Sequence, residues 1–192
     1  MTGNDQLAAR MTALVSAILD ERSVHGTLRR VAALSARAVP ALSGAGLTWA
    51  PGTRSATVAA SHDFARRLDQ LQYRVGEGSS LQAYEAQRVV LAVPVAGDAR
   101  WPRFSAMARS ERVRAVLAAP ISAGGSRLGT LSLYAPSADA FGQPAAAEAE
   151  VFAEHAAHVL ACAQELAESL SAARNLQEAL RPGLRSSRPR ES

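Results

Sequence analysis

The chain has 192 residues, the length of one domain with room for a sizeable core. All 21 basic residues are arginines and the formal net charge is +4, but four of those arginines lie in the last twelve residues, where Glu191 is the only acid. The preceding 180 residues carry 17 arginines against 16 acids, which argues against a basic nucleic-acid surface on the body of the protein. Cys162 is the only cysteine, which excludes an internal disulfide and a cysteine-based zinc site.

The sequence contains no recognisable targeting or membrane signal. No charged segment precedes an apolar stretch at the N-terminus, and no apolar run approaches the ~18 residues of a membrane span. We therefore expect a soluble, cytoplasmic protein with no membrane contact.

Two helices are predicted before the first strand. Apolar residues at helical spacing predict an amphipathic helix over residues 5 to 20, and we assign residues 1–22 to this N-terminal element. A second helix is expected from Ser23, which suits an N-cap, to just before Pro40.

Five strands are then predicted, with short helices between them. Residues 44–50 and 54–60 are expected to form a hairpin around Pro51-Gly52, and residues 113–122 and 127–135 a second hairpin through Gly124-Gly125. Residues 89–94 are expected to form a buried strand, and helices are expected near residues 64–71, 81–87 and 101–110. Antiparallel pairs with helices inserted between strands and at both ends predict an α+β fold with a twisted antiparallel sheet.

Residues 144–180 are predicted to form one long helix, because no glycine interrupts them and the only proline is at the start. Apolar residues of both terminal helices recur at coiled-coil spacing, which favours a homodimer built through these helices. The predicted dimer residues are Leu7, Met11, Leu14, Ile18, Phe152, Val159, Leu166 and Leu170. Packing of both helices against the chain's own sheet is the alternative, and residues 181–192 are expected to be a disordered arginine-rich tail.

The stretch from Tyr73 to Phe104 stands out as a candidate ligand site. It contains an acid between two glycines, which permit close backbone approach, and a tryptophan between Arg100 and Pro102, where a large ring can wall a hollow. Aromatic and apolar walls, close backbone and hydrogen-bonding groups are what a small-molecule pocket needs. The candidate ligand-binding residues are Tyr73, Gly76, Gly78, Ser79, Ser80, Leu91, Asp98, Trp101 and Phe104.

The same stretch resembles a known family. The chain reads Gln-Tyr at 72–73, Gly-Glu-Gly-Ser-Ser-Leu at 76–81 and Arg-Trp-Pro-Arg-Phe at 100–104. These runs are similar to those of GAF domains in actinobacterial regulators that end in an RNA-binding ANTAR domain, and the likeness continues at 46–48, 113–120 and 128–134. Ser79 and Ser80 stand where that pattern has Pro-Cys, so any role of that thiol is absent.

The resemblance implies a GAF-like sensory domain, which we place at residues 23–143, with helices on one side of the sheet and a ligand pocket on the other. In the family a three-helix ANTAR domain follows the long helix, and about twelve residues are too few to form one. We therefore expect a relative without a complete ANTAR domain and do not expect RNA binding.

The motifs indicate no catalytic or metal site. Free methionine sulfoxide reductases share the GAF fold but use several cysteines, whereas Cys162 lies alone on the long helix. Ser79 and Ser80 have no histidine near them in sequence and no Gly-x-Ser-x-Gly elbow, and His155 and His158 have no third metal ligand on their helix face. We therefore expect no catalytic residues, no metal and no required cofactor, and predict that the chain is not an enzyme.

The sequence thus predicts a non-catalytic GAF sensory and signal-transduction module in transcription regulation, which binds an unknown small molecule and passes the signal to a downstream protein. Two alternatives stay open. One is a truncated ANTAR-type antitermination regulator that binds RNA through its arginine-rich tail. The other is a ligand-free protein-interaction module.

Overall fold

The computed structural model describes residues 21–38, 42–50 and 56–179. The helices are α1 (Glu21–Ala38), α2 (Asp63–Val75), α3 (Ser79–Ala86), α4 (Pro102–Ser110) and α5 (Gln143–Ala179), and the strands are β1 (Gly44–Trp49), β2 (Ala56–Ala60), β3 (Val90–Ala92), β4 (Ala115–Ala123) and β5 (Ser126–Ala135). The predicted helix over residues 5 to 20 and the predicted tail after residue 180 lie outside the described residues.

The five strands form one antiparallel sheet in the order β2-β1-β5-β4-β3. The β4–β5 hairpin turns at Gly124 and Gly125, whose φ angles of 56° and 79° lie in the left-handed region that glycine adopts at little cost. The α+β class with a twisted antiparallel sheet and flanking helices is therefore confirmed.

One face of the sheet packs against α1 and α5. Alternate residues of each strand point to the same face, and Ala45, Leu47, Leu131 and Leu133 form a core with Leu28 and the alanines of α5. Helix α5 contributes buried residues as far as Leu160, and all its described side chains from residue 171 onward are exposed. The helix therefore extends beyond the sheet that it covers.

The other face of the sheet lies beneath α2, α3 and α4. Its apolar core includes Leu68, Phe104, Val116 and Tyr134. Strand β3 is shorter than predicted, since pairing with β4 covers Val90 to Ala92 alone, and Leu91 on its outer side is 46% exposed. The expectation of a buried strand over residues 89–94 is thus wrong in part, because β3 is an edge strand with one buried face.

Candidate functional site: a buried polar cluster beneath α2 and α3

The second face of the sheet carries polar side chains along its two central strands. On β5 these side chains are Thr130, Ser132 and Tyr134, and all three are fully buried. The apolar residues between them face the core that α1 and α5 cover on the opposite side of the sheet. Thr48 of β1 pairs directly with Thr130, while Gly46 pairs with Ser132. A row of hydroxyls therefore lies on the sheet beneath α2 and α3, where an apolar layer is the usual arrangement.

Asp69 of α2 points its carboxylate into this row. It is fully buried, and its Oδ1 accepts a hydrogen bond from the Tyr134 hydroxyl. A Cβ at Gly46 would lie 1.8 Å from Asp69 Oδ2, so only glycine leaves room for the carboxylate there. Burial raises the pKa of Asp69 to about 7, although the hydroxyls of Tyr134 and Ser132 and the nearby charge of Arg66 act in the opposite direction.

Gln72, one turn after Asp69, ties α2 to the start of α3. Its Nε2 donates to the Tyr134 hydroxyl at 3.2 Å, and its Oε1 accepts from the Ser80 amide at 2.8 Å. Gly78 has a φ of 143°, and a Cβ there would lie 2.2 Å from Gln72 Oε1. Glycine is therefore required at this position both by the backbone and by the glutamine beside it.

Two further hydrogen bonds join the helices to the row of hydroxyls. Ser80 Oγ lies 2.6 Å from Ser132 Oγ, and the Tyr73 hydroxyl lies 3.2 Å from Thr130 Oγ1. Burial raises the pKa of the Tyr73 phenol, so it stays protonated near neutral pH. We call the set Thr48, Asp69, Gln72, Tyr73, Ser80, Thr130, Ser132 and Tyr134 the polar cluster.

Three buried polar atoms around the polar cluster have no hydrogen-bond partner among the described residues. They are Asp69 Oδ2, Thr48 Oγ1 and the Oγ1 of Thr57, which pairs with Thr48 in the sheet. An unpaired buried polar group costs about 1–3 kcal/mol, so proteins pair nearly all of them with protein, water or ligand. The described protein therefore leaves the hydrogen-bonding capacity of these three atoms unused.

The acid between the two glycines of the Gly76–Gly78 loop has a structural role. Glu77 Oε1 accepts the backbone N–H groups of Arg103 and Phe104 at 2.5 and 3.1 Å. Both belong to the first turn of α4, where N–H groups lack partners within the helix. Glu77 thus caps α4 from a distant part of the chain, where its negative charge also complements the helix dipole.

The nine predicted ligand residues do not surround one cavity. Tyr73, Ser79 and Ser80 lie at the polar cluster with Gly78 beside them, and Ser79 Oγ is 3.5 Å from Gln72 Oε1. The others lie elsewhere: Gly76 is the exposed C-cap of α2, Leu91 is on the edge strand, and Asp98, Trp101 and Phe104 are at the start of α4. Their role in ligand binding stays a prediction.

The residues at the start of α4 contact one another. The Arg100 guanidinium bonds both Asp98 carboxylate oxygens, which lowers the pKa of Asp98, and stacks 4.2 Å above the Trp101 ring centre. Trp101 is buried and meets Phe104 edge to face. A surface hollow of about 310 Å³ lies beside Asp98 and Pro102, on the outer side of α4.

Sequence reasoning missed Asp69, Gln72 and Tyr134, although two signals were present. Asp69 and Gln72 follow Ala65 and Leu68 on the buried face of α2, so polar residues stand at core spacing. The alternation Thr130, Ser132, Tyr134 places polar groups on one face of β5. Because both α2 and β5 bury polar side chains, these side chains are expected to hydrogen-bond to each other.

The predicted dimer residues are described in part. Phe152 and Val159 are half-buried against the core formed by α1, α5 and the sheet. The structure does not describe the side chains of Leu166 and Leu170. The four residues of the predicted N-terminal helix also lie outside the described residues: Leu7, Met11, Leu14 and Ile18. Dimerisation through these residues stays a prediction.

Two properties of the described residues concern metal binding and membrane insertion. His155 and His158 each place Nδ1 within 2.8 Å of a carbonyl one turn earlier on α5, and no group of three metal-binding side chains lies together in this part of the chain. None of the described helices has the length and apolar character needed to cross a bilayer.

The fold is similar to several solved structures. The GAF domain of a phosphoenolpyruvate-protein phosphotransferase from Coxiella burnetii matches with a TM-score of 0.60 and 18% identity, over 82% of this chain and 96% of that one. The GAF domain of a two-component sensor histidine kinase from Bacillus halodurans matches at 0.56 and 11%, over 76% and 95%. A type II free methionine-R-sulfoxide reductase from Thermoplasma acidophilum matches at 0.58 and 12%, over 72% and 93%. No curated protein matches the chain.

These structures correct one expectation. The prediction that the chain is not an enzyme is contradicted, because several of the similar structures are free methionine-R-sulfoxide reductases, which are enzymes with this fold. At identities of 12–16% the likeness shows the fold alone, so the fold neither assigns that activity nor excludes catalysis. The GAF domain family model matches residues 21–161, and the chain therefore belongs to the GAF domain family.

Proposed function

We propose that the protein is a sensory, signal-transduction GAF module that binds a small molecule at the polar cluster, between the sheet and helices α2 and α3. The observation that carries the proposal is the set of buried, unpartnered atoms Thr48 Oγ1, Thr57 Oγ1 and Asp69 Oδ2. A ligand with hydrogen-bond donors would satisfy the carboxylate oxygen and both hydroxyls. The similar structures from a sensor histidine kinase and a phosphotransferase support a sensory role.

The sheet offers a physical route from the polar cluster to α1 and α5. Thr48, Thr130 and Ser132 face the cluster, whereas their chain neighbours Leu47 and Leu131 pack against the two helices on the other face. A ligand that binds two arrangements of the sheet with different affinity would shift the packing of α1 and α5.

Dimerisation through the helices is part of the proposal. Leu34 of α1 is 55% exposed and Val151 of α5 is 51% exposed. These two helices cover the same face of the sheet. A second copy packed on these helices would cover both side chains. The finer assignment to the actinobacterial GAF-ANTAR type rests on the runs at 72–81 and 100–104 and stays a prediction, as does the cytoplasmic location.

The experiment combines native mass spectrometry with one substitution and a control. Protein purified from its native host is weighed under native and denaturing conditions, as wild type, Thr48→Val and Ser35→Ala. The control removes a buried hydroxyl on the opposite side of the sheet, where Ser35 Oγ donates to the Val31 carbonyl of its own helix at 2.7 Å. We expect extra mass on wild type and Ser35→Ala that is lost on denaturation and reduced in Thr48→Val.

Thermal unfolding of the same variants tests the alternative of a ligand-free protein, in which Thr48→Val should raise the melting temperature. Valine has nearly the shape of threonine, so Thr48→Val removes an unpaired hydroxyl without leaving a cavity and stabilises a site that binds nothing. A wild type with no extra mass, together with a higher melting temperature for Thr48→Val, would contradict the proposal and favour a ligand-free interaction module.

A further inference from the structure

A second feature of the molecule is a group of arginines at the far end of α4. Arg109 lies in its last turn, Arg112 in the following turn and Arg114 just before β4, and all three are exposed. Together with Ala96, Val113 and Pro136 they line a hollow of about 520 Å³. This volume lies within the range of about 300–1,000 Å³ that small-molecule sites occupy.

The three guanidinium groups have no hydrogen-bond or ion-pair partner among the described residues. The nearby acids Glu111 and Asp98 are already paired, with Arg67 and Arg100 respectively. Three positive charges therefore converge on one hollow without a compensating acid. An anion placed there would relieve their mutual repulsion.

The backbone holds the three arginines in place. The Arg112 amide donates to the Arg109 carbonyl at 3.1 Å, and the next amide, of the buried Val113, donates to Ala108 at 2.8 Å. Arg112 has a φ of 59°, in the left-handed region that non-glycine residues seldom adopt. Arg114 is fixed on both sides, since its amide donates to the Ala135 carbonyl at 2.8 Å and its carbonyl accepts from Val95 at 2.9 Å.

We propose that the hollow of Arg109, Arg112 and Arg114 binds the phosphate group of a small organic phosphate. The planar fork of a guanidinium matches two phosphate oxygens at once. Pro136 and Ala96 give an apolar wall for the organic part of the ligand. The site is on the outer surface, whereas the polar cluster is buried on the sheet, so the two sites are separate.

The compact arrangement favours a small ligand over a nucleic acid. An RNA-binding surface needs a stripe of basic groups along the phosphate backbone. Here the arginines next to the hollow, Arg67 and Arg100, are neutralised by their own acids. Of these five arginines, only the three that line the hollow have no acidic partner among the described residues.

Phenyl phosphate and inorganic phosphate are the probes for the test. The full chain, labelled with ¹⁵N, is titrated with each at low ionic strength, as wild type, Arg112→Asn, Arg114→Gln and the control Arg127→Gln. Asparagine tolerates the left-handed conformation at 112. Arg127 is an exposed arginine at the opposite end of the β4–β5 hairpin, so its replacement removes the same charge elsewhere.

The expected result is saturable binding of phenyl phosphate with shifts at the amides of residues 112–114. Arg112→Asn and Arg114→Gln should each weaken it roughly tenfold, as the loss of a charged hydrogen bond predicts. Arg127→Gln and Thr48→Val should leave it unchanged. Equal weakening in Arg127→Gln, no saturation in wild type, or binding of RNA or an acidic peptide in place of phenyl phosphate would overturn the proposal. Equal affinity for inorganic phosphate would overturn the role of the apolar wall.

Discussion

Replacing Asp69 by asparagine should remove a large part of the pH dependence of stability. The carboxyl is buried and its pKa is raised from 3.8 to about 7. Between these two values the folded protein keeps a proton that the unfolded chain has released. Because the folded state binds more protons, the free energy of unfolding falls as the pH rises from about 4 to about 7, and it levels off above that.

The magnitude follows from the size of the shift. One pKa unit corresponds to about 1.4 kcal/mol, so a shift of about 3 units destabilises the folded protein by about 4 kcal/mol at pH 8 relative to pH 4. The three groups that oppose the shift, the Tyr134 and Ser132 hydroxyls and Arg66, are already included in the value of about 7. Asparagine carries no charge in either state and keeps an oxygen to accept the Tyr134 bond, so its curve lacks this loss.

Urea unfolding at pH 5, 6, 7 and 8 measures the effect. The difference in the free energy of unfolding between Asp69→Asn and wild type should increase in favour of the variant by about 1 kcal/mol per pH unit, and flatten near pH 7 to 8. Other titrating groups are common to both proteins and cancel. The control is Asp139→Asn, because the exposed Asp139 carboxyl bonds Ser137, which lowers its pKa below this window. A difference curve for Asp69→Asn as flat as that of Asp139→Asn would refute the reasoning.

Two further substitutions test the contacts around the site. Gly46→Ala places a Cβ 1.8 Å from Asp69 Oδ2 and should lower the free energy of unfolding by about 3 kcal/mol or more. The control is Gly26→Ala on α1, where a Cβ has nothing within 4 Å, and it should raise the free energy of unfolding by about 0.5–1 kcal/mol. Urea unfolding midpoints measure both changes. Glu77→Ala removes the cap of α4 and should cost about 1–2 kcal/mol with faster hydrogen exchange at the Phe104 amide, and unchanged exchange there would show that α4 does not depend on Glu77.

Local signals predicted the elements of the fold well. The β4–β5 hairpin was predicted within two residues at each strand end, because the Gly124-Gly125 pair fixes the turn and the strands follow from it. Helix α3 begins at Ser79, two residues before the prediction, since Gly78 ends the loop and the Gln72 side chain accepts the Ser80 amide. That contact comes from another helix and has no signal in the local sequence.

Strand order and the polar cluster could not be predicted in the same way. Strand β1 lies between β2 and β5, and its place beside β5 depends on contacts between residues 80 to 90 positions apart. The match of Gly46 with Ser132 and Thr48 with Thr130 is visible only once the register is known. The buried carboxylate of Asp69 needs that register as well, because it occupies the space that Gly46 leaves.

The two runs that resemble the family, at residues 72–81 and 100–104, contact each other. These contacts give a structural reason for the glycines and the acid of the first run. Glu77 of the first run caps the helix that begins in the second, and Gly78 makes room for Gln72. Glycines, an acid and a buried tryptophan in these positions are therefore explained by contacts within the chain and do not by themselves require a ligand. The case for a small molecule depends instead on Asp69 and Thr48, because their buried oxygens lack a partner within the described protein. A ligand that reaches them must enter between α2, α3 and the sheet, so its binding has to compete with the bonds of Gln72 and Tyr73.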